Sequence, residues 1–113
     1  MKMVTAIIQP EKLDDVKNAL TAIDVKRMTV SRVRGCGTQG GIEESYRGQV
    51  HTVNLLDKVR IEIAVNEEFV DRTVQAIISG AKSGAIGDGK IFVTNLEQCI
   101  RIRTEERGHG AVG

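Results

Sequence analysis

The chain has 113 residues, 41% of them hydrophobic, and a formal net charge of +1, which predicts one soluble, cytoplasmic domain with a modest core. Near-neutral charge and 3% aromatic content give no bulk drive toward nucleic acid and few platforms for stacking bases. No apolar run approaches the roughly 20 residues of a membrane helix, MKMVTAIIQP is too short and lacks a cleavage site for a secretory signal, and Cys36 and Cys99 make no disulfide framework and read as free thiols.

Met3 to Gln9 is a short apolar run closed by Pro10 and predicts a strand. Pro10 suits a first helical turn, Glu11, Asp14 and Asp15 suit the dipole there, and Leu13, Val16, Leu20 and Ile23 recur at helical spacing. A helix is expected over about 11–22, then a β-branched strand from Val25 to Arg34. From Gly35 to Asp57 no convincing period holds, and so long a segment in a small domain is often functional.

Order returns at Lys58. Val59, Ile61, Ile63 and Val65 alternate with Lys58, Arg60, Glu62 and Ala64, the pattern of a half-buried strand. Lys58 and Glu62 share its outward face, where an ion pair is the plain expectation. Asn66 is a candidate N-cap, Val70, Val74, Ile77 and Ile78 form a helical stripe, and Gly80 is expected to end the helix. A glycine-rich loop over about 82–90 leads into a strand from Lys90 to Asn95. A short strand from Gln98 to Arg103 and a polar, flexible tail over about 104–113 complete the chain. This order, βαβ-loop-βαβ, predicts an α+β, ferredoxin-like sandwich: an antiparallel sheet with both helices on one face. The other face stays bare unless further subunits cover it, which favours an oligomer.

SGAIGDGKIF nearly matches the phosphate-binding G-x-x-x-x-G-K-[ST], but Ile91 stands where the Mg²⁺-binding hydroxyl belongs and a strand follows instead of a helix. A P-loop NTPase is excluded. Two readings stay open: an anion nest with Lys90 as a point charge, or a plain connector. Arg101 and Arg103, if on a strand, lie on one face about 7 Å apart and can clamp a polyphosphate; ordinary surface arginines are the alternative. His51 and His109 sit in loops with no nucleophile spaced for them. No catalytic set emerges, so a binding module and not an enzyme is expected.

The stretches IGDGKIFV, IRIRT, EKLDDVK, KVRIEI and ESYRG resemble those of the P-II nitrogen regulatory signalling proteins, and the likeness runs along nearly the whole chain. The resemblance implies a homotrimer that binds ATP or ADP in clefts between subunits. It implies Gly87, Asp88, Gly89 and Lys90 around the phosphates, Arg101 and Arg103 reaching in from a neighbour, and Thr29, Gly35, Gly37, Thr38, Glu62 and Ala64 along the nucleotide. It further implies 2-oxoglutarate at Gln39, Gly40, Gly41, Lys58 and Gly87, with Gln39 on a Mg²⁺ shared with ATP. The segment 37–55 matches the family's partner-docking T-loop, in which Glu44, Tyr46, Arg47, Gly48 and His51 would meet an ammonium transporter or a nitrogen-metabolism enzyme or regulator.

The chain also departs from the family. His51 stands where many members carry a uridylylated tyrosine, and Gln49 where some carry a phosphorylated serine, so signalling by ligand alone is expected. Thr38 replaces a frequent arginine, Gly40 a frequent lysine and Cys36 a frequent aromatic residue. The first two leave a rival expectation, an adenylyl-nucleotide energy sensor that does not take 2-oxoglutarate. An RNA-binding domain of this fold would want aromatic residues on KVRIEI, and a trimeric metal-tolerance protein would not explain IGDGKIF.

Overall fold

The computed structural model describes residues 1–36, 45–46, 49–50 and 55–113. Its chain order is β1 (Lys2–Ile8), α1 (Leu13–Ala22), β2 (Thr29–Gly35), β3 (Ser45–Tyr46), β4 (Gln49–Val50), β5 (Leu56–Val65), α2 (Val70–Ala81), β6 (Gly89–Asn95) and α3 (His109–Val112). The main sheet runs β2-β5-β1-β6 with every pair antiparallel, and β3 pairs with β4 separately. This is the expected ferredoxin-like arrangement.

Alternation decides which side is buried. Val4, Ala6 and Ile8 of β1 and Val59, Ile61, Ile63 and Val65 of β5 are buried with Val16 and Leu20 of α1 and Ala76, Ile77 and Ala81 of α2. Each large side chain fully removed from water there contributes roughly 1.5–3 kcal/mol. In register, Met3, Thr5 and Ile7 face outward with Lys58, Arg60, Glu62 and Ala64, with Lys90, Phe92 and Thr94, and with Thr29, Ser31 and Val33. Phe92 on that side is 51% exposed.

Several boundaries differ from expectation. The first helix opens with a 3-10 turn, Pro10–Lys12, and ends in a Schellman turn: Val25 N–H bonds the Leu20 carbonyl at 3.0 Å and Asp24 N–H bonds the Thr21 carbonyl at 3.0 Å, with Asp24 at φ 62. That turn consumes Ile23 to Val25, so β2 begins at Thr29 and not at Val25. Asn66 precedes a 3-10 turn, Glu67–Phe69, without capping it; its side-chain amide N–H donates to the His109 carbonyl at 3.1 Å.

Gly80 does not stop the second helix, which runs on to Ala81. It sits where α1 crosses, and a Cβ there would lie 2.7 Å from Val16 Cα. The helical stripe is also turned: Thr73, Ala76 and Ile77 are buried, whereas Ile78 is exposed.

The expected strand from Gln98 to Arg103 does not form. The chain reverses there, with the Arg101 N–H bonded to the Glu106 carbonyl at 2.9 Å, Glu105 at φ 60, and a single bridge between Ile100 and Arg107. The tail, expected to be polar and flexible, folds back as α3 with Ala111 buried.

Candidate functional site

The sequence-predicted residues gather at two ends of the sheet. At one end, Gly89 opens β6 opposite Ile8. Its φ is +113, and a Cβ would fall 1.8 Å from the Ile7 carbonyl oxygen, so no side chain fits. The preceding loop is clasped by Asp88. Its carboxylate accepts from the Ser83 N–H at 2.8 Å, the Gly84 N–H at 2.9 Å and the Ser83 hydroxyl. The Ser83 hydroxyl first and the Ser83 backbone N–H next, with help from the Gly84 N–H, hold the Asp88 carboxyl below its usual value against an opposing effect of burial. The carboxylate is thus turned into the loop, which leaves Lys90 as an exposed cation at its exit.

The Gly87 carbonyl accepts from Gln9 Nε2 at 2.8 Å and lies 3.5 Å from Lys58 Nζ. Gly35 ends β2 beside them, since a Cβ on it would meet Lys58 Cγ at 3.8 Å. Gly35, Lys58, Gly87, Asp88, Gly89 and Lys90 are therefore one cluster. The expected ion pair of Lys58 with Glu62 is absent, because four residues along a strand separate them by about 13 Å. Glu62 pairs instead with Arg60 at 3.4 Å.

At the other end, Thr29 stands opposite Glu62 in register, with Ala64 beyond. These three line a cavity of about 370 Å³ together with Met3, Arg27, Met28 and Val112. Arg101 and Arg103 lie past the end of β6, where Asn95 is opposite Lys2. They are not on a strand. Arg101 is held in place: Nη1 pairs with Glu106 Oε1 at 3.0 Å, and Nη2 donates to the Gly110 carbonyl at 3.1 Å. Arg103 is exposed in the turn. Seven residues of β6 separate the two ends, about 20 Å at strand rise. The glycine-rich loop and the two arginines of one chain therefore cannot hold the same phosphate group.

Gly37, Thr38, Gln39, Gly40, Gly41, Glu44, Arg47, Gly48 and His51 lie outside the described residues, as do most of 37–55. Tyr46 is described only as backbone paired with Gln49. Sequence reasoning missed Gln9, a polar residue between a strand and Pro10 that carries no motif. It also missed Arg27 and Met28, which directly precede Thr29, and Val112, which the tail's return brings to the cavity.

The family model for "Nitrogen regulatory protein P-II" matches residues 1–106. The chain belongs to the P-II family. It is 54% identical over 112 residues to nitrogen regulatory protein P-II 2 of Methanothermobacter thermautotrophicus, covering 99% of this chain and 97% of that one. It is equally 54% identical, over 114 residues, to nitrogen regulatory protein GlnK1 of Methanosarcina mazei, with the same coverage. Among solved structures it is similar to Arabidopsis thaliana PII bound to citrate, at TM-score 0.80 and 37% identity over 98% of this chain and 88% of that one. P-II proteins are nitrogen-regulatory signalling proteins and not enzymes, in line with the missing catalytic set in the sequence. Among the described residues of this P-II chain, no helix is long and apolar enough to cross a membrane.

Proposed function

We propose that this P-II chain is a homotrimeric, cytoplasmic sensor of ATP, ADP and 2-oxoglutarate that regulates nitrogen-metabolism targets through residues 37–55. The observation that carries the proposal is the separation of the two cationic groups. Lys90 stands at one end of the sheet and Arg101 and Arg103 at the other, about 20 Å away by strand rise. One polyphosphate can reach both groups only if the loop end of one subunit meets the arginine end of the next. The outward sheet face, with Met3, Ile7, Val33 and Phe92 in register, supplies apolar surface for that assembly.

In this reading Gly35, Gly37, Thr38 and Gly87 to Lys90 hold the phosphates from one subunit, and Thr29, Glu62, Ala64, Arg101 and Arg103 approach from its neighbour. Lys58 beside the Gly87 carbonyl pairs with a 2-oxoglutarate carboxylate, with Gln39, Gly40 and Gly41 completing that site. The citrate on the Arabidopsis relative, a polycarboxylate, is in keeping with such a site. Gln39 is the residue for Mg²⁺, and among the described residues no three His, Cys, Asp or Glu side chains gather to compete for it. The ion then takes its remaining oxygens from the two ligands.

ATP with 2-oxoglutarate and ADP alone favour different states of 37–55, through contacts made in only one state. An ammonium transporter, enzyme or regulator reads that state, with Arg47 the residue suited to enter a transporter pore. With His51 and Gln49 at the usual modification positions, no uridylyl or phosphoryl transfer is needed. A nucleotidyl or phosphoryl adduct on 37–55 in a mass spectrum of native protein would contradict this. A second reading, an energy sensor without 2-oxoglutarate, is favoured by Thr38 and Gly40 standing where a cation is frequent. Calorimetry separates the two: 2-oxoglutarate binding only in the presence of Mg·ATP supports the first, and binding of ATP and ADP but never 2-oxoglutarate supports the second.

A further inference from the structure

The cavity around Thr29, Glu62 and Ala64 has a wall that comes from the far end of the chain. Val112 lines it, together with Met3, Arg27 and Met28. Contacts from different elements bring α3 there. Arg101 Nη2 donates to the Gly110 carbonyl at 3.1 Å, Asn66 Nδ2 to the His109 carbonyl at 3.1 Å, and Arg27 Nη1 to the Gly113 carbonyl at 2.7 Å. Ala111, next to Val112, is 9% exposed and anchors the turn from inside. Val112 is thus fixed on both sides in sequence.

A purine is flat, with apolar faces and a polar edge. The cavity has the same division: Met3, Met28, Ala64 and Val112 offer apolar surface, and Thr29 and Glu62 offer polar groups. Resting on the nucleotide reading above, we propose that Val112, latched by Arg27, is a wall of the base subsite. The tail then contributes to recognition of the purine ring and not of the phosphates. A ring slid between Met28 and Val112 loses water on its faces, which is favourable in proportion to the apolar area covered.

The test compares Mg·ATP with inorganic tripolyphosphate on the full-length chain by calorimetry, since tripolyphosphate has the phosphates without the base. The unaltered chain is expected to bind ATP more tightly. If it does not, the nucleotide reading itself fails, and this inference with it. Val112→Asp sets a carboxylate against the ring and is expected to weaken ATP about tenfold while leaving tripolyphosphate unchanged. Arg27→Met removes the latch and keeps the apolar stem, and is expected to give the same split with a smaller loss, about threefold. Should Val112→Asp not assemble, Val112→Ala carries the comparison with a loss of about threefold. An unaltered chain that prefers ATP, with Val112 variants that keep full ATP affinity or lose both ligands in parallel, would overturn the assignment of Val112 and leave the nucleotide reading standing.

Discussion

Gly89 and Asp88 set the shape of the glycine-rich loop before β6 by opposite means, one by lacking a side chain and one through its carboxylate. At Gly89 both conformation and space forbid Cβ, with φ at +113 and the Ile7 carbonyl oxygen in the way. Gly89→Ala is expected to lower stability by about 2–4 kcal/mol in urea unfolding and to abolish ATP binding, because the start of β6 must shift. Asp88→Ala removes no core contact, so it should leave the fold intact and weaken ATP by loosening the loop at Ser83 and Gly84. The same carboxylate gives the loop a pH dependence. Its folded pKa lies below the ordinary 3.8, so the clasp is fully present above that value and is lost as pH falls through the lower, folded one. Protection of the Ser83 and Gly84 amides, taken against their intrinsic exchange rates at each pH, should hold at neutral pH and fall only as pH drops below 3.8. The glycines and Lys90 could be singled out in the sequence because the motif has a spacing. The orientation of Asp88 could not be read there, since its partners at Ser83 and Gly84 are set by the fold of the loop and not by a spacing.

At the scale of elements, periodicity found both helices and the main strands, and it missed what backbone turns and close packing decide. Val25 is β-branched and reads as the start of a strand, but it serves a helix-ending turn, its N–H bonded to the Leu20 carbonyl. Gly80 reads as a stop signal because glycine usually follows a helix. Here it stays inside, at a cost of about 1 kcal/mol relative to alanine, since α1 passes so close. Gly80→Ala therefore tests which effect wins. The backbone of Val16 at 2.7 Å from an added Cβ cannot yield without parting the helices. A net destabilisation of about 1–2 kcal/mol is expected in urea unfolding, whereas propensity alone predicts a gain. The tail was illegible for a different reason. Its hold on the body is made of single polar contacts, His109 to Glu68 at 3.0 Å among them, which follow no period. The hydrogen bond from His109 is the main cause that holds the Glu68 carboxyl below its ordinary 4.5. That contribution is present above 4.5 and is lost as pH falls through the folded value. Protection of the Ala111 amide, taken against its intrinsic exchange rate at each pH, should fall on acidification before that of the strand amides of β1 and β5.

For the whole molecule, the decisive feature is that one chain carries the two halves of the proposed nucleotide cleft on opposite ends of its sheet. That arrangement predicts complementation between damaged subunits. A chain with Lys90→Ala keeps its arginine end, and a chain with Arg101→Ala and Arg103→Ala keeps its phosphate loop. Each alone should lose ATP binding in every cleft. Unfolded together in equal amounts and reassembled at random, they form some clefts that take the loop from one type and the arginines from the other. For a closed ring each cleft draws its two sides independently, so about a quarter of the clefts should be fully intact. Equilibrium dialysis of the mixture should then recover about a quarter of the unaltered stoichiometry, at unaltered affinity. If both halves of a site came from the same chain, no mixing ratio would restore any. Recovery that tracks the product of the two fractions, with its maximum at equal amounts, would assign the loop and the arginines to different subunits without any structure of the assembly.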